Sequence, residues 1–385
     1  MSSQQQLRLQ FIVFSLVAAS FTNIYITQPV LPVLQNEFAA DAVTVSYSVA
    51  AVILGIALAN MPFGALVDRL PIRPIILGGA LAVALAGLLC ATTDNLGVLI
   101  GARFVQGLFI PALTTCLAAF LARTLPAERL SVVMGSYVSA TVIGGLGGRL
   151  LGGWLHPPLH WRYAFVSAAV LILVAGLIAL LALPRDEQHH DRQREQPGYW
   201  GMLKRWDLLR LYLVSSGSFF IFSSVFNYLP FRLESPPFNL ATEWITLLYL
   251  SYLVGVFMGP AAGKLSNRYG SAITMIGGTL ILALSVSLTL LSSLVAMVLA
   301  LLGVCAGFFA LHAAAVGALN HRVKSGQGRA NALYVLFYYL GGWVGITACG
   351  LVYEQAGWNG AVIFCLAMSM IPLTIGIIEQ RVSNN

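Results

Sequence analysis

Gly144-Gly145-Leu146-Gly147-Gly148-Arg149-Leu150-Leu151-Gly152-Gly153 is the stretch on which the reading of this chain turns. It lies in a mainly apolar run from about 130 to 155, long enough for a membrane-spanning helix. Together with Gly135, the glycines Gly144, Gly148, Gly152 and Gly153 are spaced so that several fall on or near one helix face. Small residues on one face let a second helix approach closely. Arg149 interrupts the apolar pattern. A charge in hydrocarbon costs at least ~2.5–3.5 kcal/mol, so its guanidinium is expected to face a water-filled cavity or a partner rather than acyl chains. A close-packed helix carrying an interior cation predicts a gated, polar pathway through a helical membrane protein.

The composition agrees. Of 385 residues, 58% are hydrophobic and 9% charged, whereas soluble domains carry about 25% charged residues. A polytopic membrane protein follows. The pI near 9.3 reflects basic residues gathered in loops on one membrane face, not a nucleic-acid partner. Cys90, Cys116, Cys305, Cys349 and Cys365 lie within apolar runs, without CxxC spacing or a histidine cluster. They read as free buried thiols, and neither metal nor cofactor is expected. Arg8 precedes a long apolar run with no early small-residue cleavage pattern, so that run reads as a first transmembrane helix rather than a removed signal peptide.

Twelve windows of suitable length follow: about 11–31, 43–66, 75–92, 96–121, 130–155, 163–183, 208–229, 244–265, 272–292, 294–319, 330–352 and 361–378. The runs are too long and continuous for barrel strands. Seventeen of the 21 Lys and Arg fall at the termini or in loops after even-numbered spans. Arg162 and Arg232 lie in the opposite loops, and Arg103 and Arg149 inside spans. That asymmetry places both termini and the central polar loop in the cytoplasm.

The chain repeats itself. Gly64-x3-Asp68-Arg69 after the second span returns as Gly263-x3-Asn267-Arg268 after the eighth. Gln106-Gly107 parallels Ala306-Gly307, Gly144-Gly145 parallels Gly341-Gly342, and Trp161 parallels Trp358. The offsets are 197–200 residues throughout. The expected architecture is all-α: twelve transmembrane helices in two pseudo-symmetric six-helix bundles, 1–184 and 208–385, joined by a cytoplasmic linker at 185–207.

Three motifs in order resemble the major facilitator superfamily. Gly64-Ala65-Leu66-Val67-Asp68-Arg69-Leu70-Pro71-Ile72-Arg73 is similar to GxxxDRxGRR, with Pro71 and Ile72 departing from the pattern. Arg103-Phe104-Val105-Gln106-Gly107 is similar to RxxQG. The glycine ladder resembles the motif G-x8-G-x3-GP-x2-GG of drug:proton antiporters, with Arg149 where that motif has proline. Within the family, Tyr25-Ile26-Thr27-Gln28-Pro29-Val30-Leu31-Pro32 resembles the YxxQPLLP segment of a YnfM-like subfamily. The resemblance implies the major facilitator fold, a cavity lined mainly by spans 1, 4, 7 and 10, and alternating access.

Gly64, Asp68, Arg69 and Arg73, with Gly263, Asn267 and Arg268, are candidates for a latch of ion pairs and helix-end dipoles. The alternative is a solvated turn that obeys the positive-inside rule. The ladder, Gly135, Gly144, Gly148, Gly152 and Gly153, packs either against span eight of the other half or inside its own half. Arg103 and Arg149 fall at similar depth in the outer half of the membrane. Each is read as attracting anions or modulating a proton step, or else as a structural hydrogen-bond anchor. The other pathway candidates are Asn23, Tyr25, Gln28, Gln106, Asn227, Tyr249, Tyr252, His312, Tyr338 and Tyr339. Tyr228 and Tyr334, near span ends, fit interfacial anchors better.

None of the 14 Asp and Glu falls in the middle of a span, which argues against a dedicated cation site. His312 titrates in the useful range and is a proton-coupling candidate, as are Asp41, Glu243 and Glu354 at span ends; His312 also reads as a packing residue. The expected function is secondary active transport in a bacterial inner membrane, with protons entering as small organic molecules leave. Uptake or exchange of an anionic or sugar-like metabolite is the alternative within transport, and a membrane sensor the alternative outside it. No P-loop, HExxH or nucleophile elbow is present, so an enzyme is not expected. The expected partners are a small-molecule substrate, the proton and the lipid bilayer, with the chain working as a monomer.

Overall fold

The computed structural model describes residues 3–67, 69–125, 127–183, 198–323 and 325–384. Asp68 of the expected latch and most of the expected linker, 185–197, lie outside the described residues. Every regular element among the described residues is helical. Ten candidate spans stand out by length and composition. One of these, Gln327–Val382, holds two helices joined across Gly357, whose φ of 62° is the left-handed backbone that glycine tolerates. With the 28-residue helix Ala127–Trp154, this makes the twelve spanning helices of a multi-pass membrane protein.

The first compact unit takes the described residues within Met1–Ala40, Tyr47–Asp191 and Thr242–Tyr249. In chain order the helices that build it are α1 (Ser3–Ile24), α2 (Leu31–Glu37), α3 (Ala42–Leu66), α4 (Ile72–Thr92), α5 (Leu96–Leu113), α6 (Thr115–Thr124), α7 (Ala127–Trp154) and α8 (Trp161–Ala182). The short α11 (Thr242–Leu248) also falls in it, while the first turn of α3 does not. The second unit takes the described residues within Asp41–Ser46, Arg192–Ala241 and Leu250–Asn385. It holds α9 (Tyr199–Leu203), α10 (Trp206–Glu234), α12 (Val254–Tyr269), α13 (Ser271–Leu288), α14 (Leu294–Arg322) and α15 (Gln327–Asn384).

Small residues set the packing of each unit. A side chain at Gly144, Gly148 or Gly152 of α7 would collide with the backbone of Ala18, Thr22 or Ile26. The stagger of four residues on both sides is that of two helices in direct backbone contact. The duplicate copy does the same in the second unit, where a Cβ at Gly341 or Gly345 of α15 would meet the backbone of Ser216 or Phe220 on α10. Outward-facing apolar side chains such as Leu181 (75% exposed) and Leu284 (74%) are suited to lipid contact.

The expected first span is not one helix. It breaks after Ile24, passes through a single 3-10 turn at Gln28–Val30 and resumes as α2. Pro29 has no N–H to donate to Tyr25 O, so the first helix cannot run on through it, while Leu31 is already helical and Pro32 falls in the first turn of α2, where its missing N–H costs no helical bond. The turn tightens to Gln28 N→Tyr25 O and Val30 N→Thr27 O, both 3.1 Å. Span four also breaks, at Thr114 just after Pro111, and span eight passes through a 3-10 turn at Tyr249–Leu253.

Candidate functional site

Two buried arginines sit at the break in the first span. Arg103 on α5 is fully buried. Its Nη1 donates to Asn23 O at 2.6 Å and its Nη2 to Ile24 O at 2.5 Å. These are the carbonyls that the break leaves without helical partners. Nε donates to Ser48 O at 2.9 Å, and Nη1 also to Gln106 Oε1 at 2.5 Å. Gln106 in turn donates to Val83 O at 3.1 Å, and its amide lies 3.4 Å from Asn23 Oδ1. Of the two readings of Arg103, these bonds favour the structural anchor.

Arg149 serves the other side of the break. Its Nε donates to Gln28 Oε1 and its Nη1 to Gly145 O, each at 2.7 Å. The guanidinium lies 3.9 Å from the centre of the Tyr25 ring and 5.4 Å from that of Tyr249. It is 1% exposed, so the cation is held by aromatic faces and neutral oxygens. The structure thus brings Tyr25, Gln28, Arg149 and Tyr249 into one cluster, and Asn23, Arg103 and Gln106 into a second beside it. Gly153, one turn on, lies against Thr246 of α11 within the same unit, whereas Gly144 and Gly148 face α1 and Gly152 faces Ile26 in the break after it. Gly135 lies on the same helix.

The second unit is aromatic where the first is polar. Phe219 stacks on Tyr338 at 3.8 Å between centroids, and Phe222 on Phe308 at 3.9 Å. Tyr252 packs on Phe226 at 4.6 Å, and Tyr339 stands edge-on to Tyr338 at 5.1 Å. His312 adjoins this group, with Nδ1 3.1 Å from the Tyr334 hydroxyl and its ring 5.3 Å from Tyr338. Tyr334 is thus a buried partner of His312 rather than a surface anchor, and Tyr228, whose hydroxyl donates to Ile346 O at 2.8 Å, is buried too. Asn227 donates to Ser46 Oγ at 2.8 Å, while its buried Oδ1 accepts no hydrogen bond among the described residues. The sequence reading missed Phe219, Phe222, Phe226 and Phe308, because one more phenylalanine in an apolar helix carries no signal of which way it faces.

At the expected latch, Arg73 donates through Nη2 to Leu183 O, the end of α8, at 2.8 Å. This bond lies inside the first unit. Arg69 is exposed, Gly64 sits in the last turn of α3, and nothing lies within reach of a Cβ at Gly263. Arg268 lies over the ring of Tyr269 at 5.1 Å, and Asn267 is exposed beside it. Near the other end of the first unit, Glu37 accepts from Trp161 and Arg162, and Arg162 also reaches Asp94 at 2.8 Å. The paired Trp358 donates to Thr289 O at 3.2 Å in the second unit. One carboxylate is more deeply placed than the sequence suggested: Glu379, near the end of α15, is 3% exposed and lies between Arg210 and Arg322.

Two helical units with matching glycine ladders, each around a buried polar or aromatic cluster, are the frame of one transporter class. The family model described as Major Facilitator Superfamily matches residues 13–271 and 238–378. The chain belongs to the Major Facilitator Superfamily. It is a membrane transporter of that type. It is 29% identical to the inner membrane transport protein YnfM of Escherichia coli (strain K12), over 97% of this chain and 90% of that protein. Over 161 residues, 41% of this chain and 30% of the relative, it is 34% identical to a "Multidrug resistance protein B homolog" of Mycobacterium tuberculosis. A bacterial homologue of the human lysosomal transporter Spinster shares the fold with a TM-score of 0.78 at 15% identity, covering 98% of this chain and 96% of that one. The nucleoside transporter NupG does so at 0.79 and 12% identity, covering 97% and 99%.

Proposed function

We propose that this transporter exports small neutral or anionic organic molecules in exchange for protons, by rocking of its two six-helix bundles, with both termini in the cytoplasm. The observation that carries the reading is Arg149, a buried cation presented by aromatic rings on the ladder helix. Such a group repels a cationic cargo and accepts a carboxylate, a phenolate or a polar neutral group. The stacked rings of the second unit offer broad faces to a planar cargo, and Asn227 Oδ1 offers an open acceptor. Similarity to a mycobacterial multidrug resistance protein homologue supports the outward direction. The residues Gly64, Asp68, Arg69, Arg73, Gly263, Asn267 and Arg268 act in this scheme as the cytoplasmic latch.

The test is flux in proteoliposomes under an imposed pH gradient. Benzoate, chloramphenicol and ethidium serve as anionic, neutral and cationic probes. The expected result is gradient-driven movement of benzoate or chloramphenicol with proton counterflow, and little movement of ethidium. Flux of all three that ignores the gradient defeats the antiport reading, and a preference for ethidium defeats the charge argument.

A further inference from the structure

The uncharged stretch 211–231 of α10 measures about 31 Å along its axis, the thickness of a bilayer's hydrocarbon core. Trp206 opens the helix five residues earlier, about 7.5 Å further out, at the depth of the headgroup layer. The short α9 leads into it. Its Met202 is 2% exposed and pins it to the second unit, and Arg329, near the start of α15, lies 5.6 Å from the centre of the Tyr199 ring. Trp200 and Trp206 are left outside, 71% and 57% exposed. An indole ring is driven out of water while its N–H seeks a wet partner, so two exposed indoles at this depth suit the boundary between headgroups and acyl chains.

The charge around these rings has one sign. Lys204 is exposed and lies 6.0 Å from the centre of the Trp200 ring. The carboxylates at this end of the unit are engaged: Asp207 accepts from Arg205 at 2.7 Å, and Glu379 lies between Arg210 and Arg322. Those three arginines share two carboxylates, and among the described residues no carboxylate is paired with Lys204. A zwitterionic headgroup brings its own cation to such a surface and gains little there. An anionic headgroup brings only the phosphate that the ammonium can pair with.

We propose that α9 and the turn leading into α10 form a docking surface for an anionic phospholipid of the phosphatidylglycerol kind. Lys204 pairs with the lipid phosphate, Trp200 and Trp206 seat beside its glycerol and upper acyl carbons, and the lipid so held fixes the start of α10. Arg322 of α14 donates to Asp207 O at 2.8 Å, so the same lipid also steadies the end of α14.

Quenching of a dye in lipid vesicles tests this on the full chain. Gly201 is exposed with open space around it, so Gly201→Cys supplies an attachment point, while the native cysteines are buried and resist the label. The vesicles are phosphatidylcholine with a minor share of phosphatidylglycerol, and one or the other lipid carries a spin label at its headgroup. Spin-labelled phosphatidylglycerol should quench the dye about five-fold more per molecule than spin-labelled phosphatidylcholine, the worth of one cation at a charged surface. Lys204→Gln should bring the two lipids close to parity, and Trp200→Ala with Trp206→Ala should weaken quenching by both. A label uptake of one dye per chain reports that each variant is folded. Raising the salt needs no further substitution and should also erase the preference. Equal quenching by the two lipids in the parent, a preference that survives Lys204→Gln, or one that ignores salt overturns the proposal. Quenching by neither lipid overturns it as well, since the surface then faces water or another protein.

Discussion

Replacing Arg103 with methionine should unfold the first unit before it alters cargo recognition. The guanidinium donates to three backbone carbonyls, Asn23 O, Ile24 O and Ser48 O, and to Gln106. All these groups are buried, and two of them are carbonyls freed by the proline-driven break in the first span. Methionine fills much of the same volume but donates nothing. At about 1–3 kcal/mol for each buried acceptor left unsatisfied, the three carbonyls alone amount to about 3–9 kcal/mol. Water entering the gap recovers part of that, so the lower end is the working figure, and in a unit of this size a loss of about 3 kcal/mol lowers the thermal transition by about 6–12 °C. Arg103→Lys should fall between, because one ammonium cannot span carbonyls that the planar fork reaches together.

The protein carries its own reporter for this experiment. Cys90 and Cys116 are buried in the first unit, and Cys305, Cys349 and Cys365 in the second. A dye that fluoresces on reaction with thiols, followed through a temperature ramp, records their exposure in detergent without any knowledge of the cargo. The expected outcome for Arg103→Met is an earlier transition, with probe affinity unchanged in the folded fraction. A transition within a degree or two of wild type would refute the anchor argument. If benzoate flux were lost at the same time, Arg103 would have to be an anion-attracting group.

Arg149→Ala should lower the unfolding transition, since two hydrogen bonds and two ring contacts are lost, and in the fraction that stays folded it should reduce benzoate flux at least about ten-fold because the attracting charge is gone; normal flux in the folded fraction would make Arg149 incidental. Gly148→Val drives a side chain into the Thr22 carbonyl, so α1 and α7 must part at a cost of about 1–3 kcal/mol, visible as early dye reaction, whereas Gly263→Ala, with open space around it, should leave the temperature of dye reaction unchanged. Asp41 caps α3 by accepting from Thr44 N and Thr44 Oγ1, both at 2.7 Å, and these bonds hold its carboxyl below the usual aspartate range. Its folded value is depressed, so the stabilisation is present above the unfolded value and is lost as pH falls through the folded one. Asp41→Ala should cost about 1 kcal/mol near neutrality and progressively less below about pH 4 in thermal ramps. Tyr338→Ala removes a ring stacked on Phe219 and should change the ratio of chloramphenicol to benzoate flux more than Arg103→Lys does; an unchanged ratio would remove the aromatic cluster from the cargo path.

The spans, their number and the duplication are legible in the sequence because apolar length and repeated landmarks need no partner to be recognised. Gly144 and Gly341, 197 residues apart, prove to be equivalent packing points, one on α1 and one on α10. The break at Tyr25–Thr27 was also written in the chain, as Pro29. A hydropathy reading runs through it, since a broken helix in a membrane is tolerated only if something satisfies its carbonyls, and that partner, Arg103, lies about 80 residues away. The depth of Glu379 was not legible. Three residues from the polar C-terminal stretch it reads as a surface charge, and only the approach of α10 and α14 encloses it. Nor do phenylalanines announce whether they face lipid or one another.

The two units share a packing scheme and differ in what they bury, and that difference bears on how work is divided under the proposed reading. In the first unit the interior cations are fixed by backbone carbonyls, Gln28 and Gln106, contacts that are directional and lost if a helix shifts by an ångström or two. In the second, stacked and edge-on rings exchange partners at about 0.5–1.5 kcal/mol per contact, so a flat molecule can replace one ring's neighbour at little net cost. A site that must recognise charge needs the first kind of surface, and a site that must accept varied shapes needs the second. Glu379, between Arg210 and Arg322, ties α15 to α10 and α14, the helices that also carry Phe219, Phe222 and Phe308, so a cargo that wedges those rings apart acts on the helices this ion-pair group holds together.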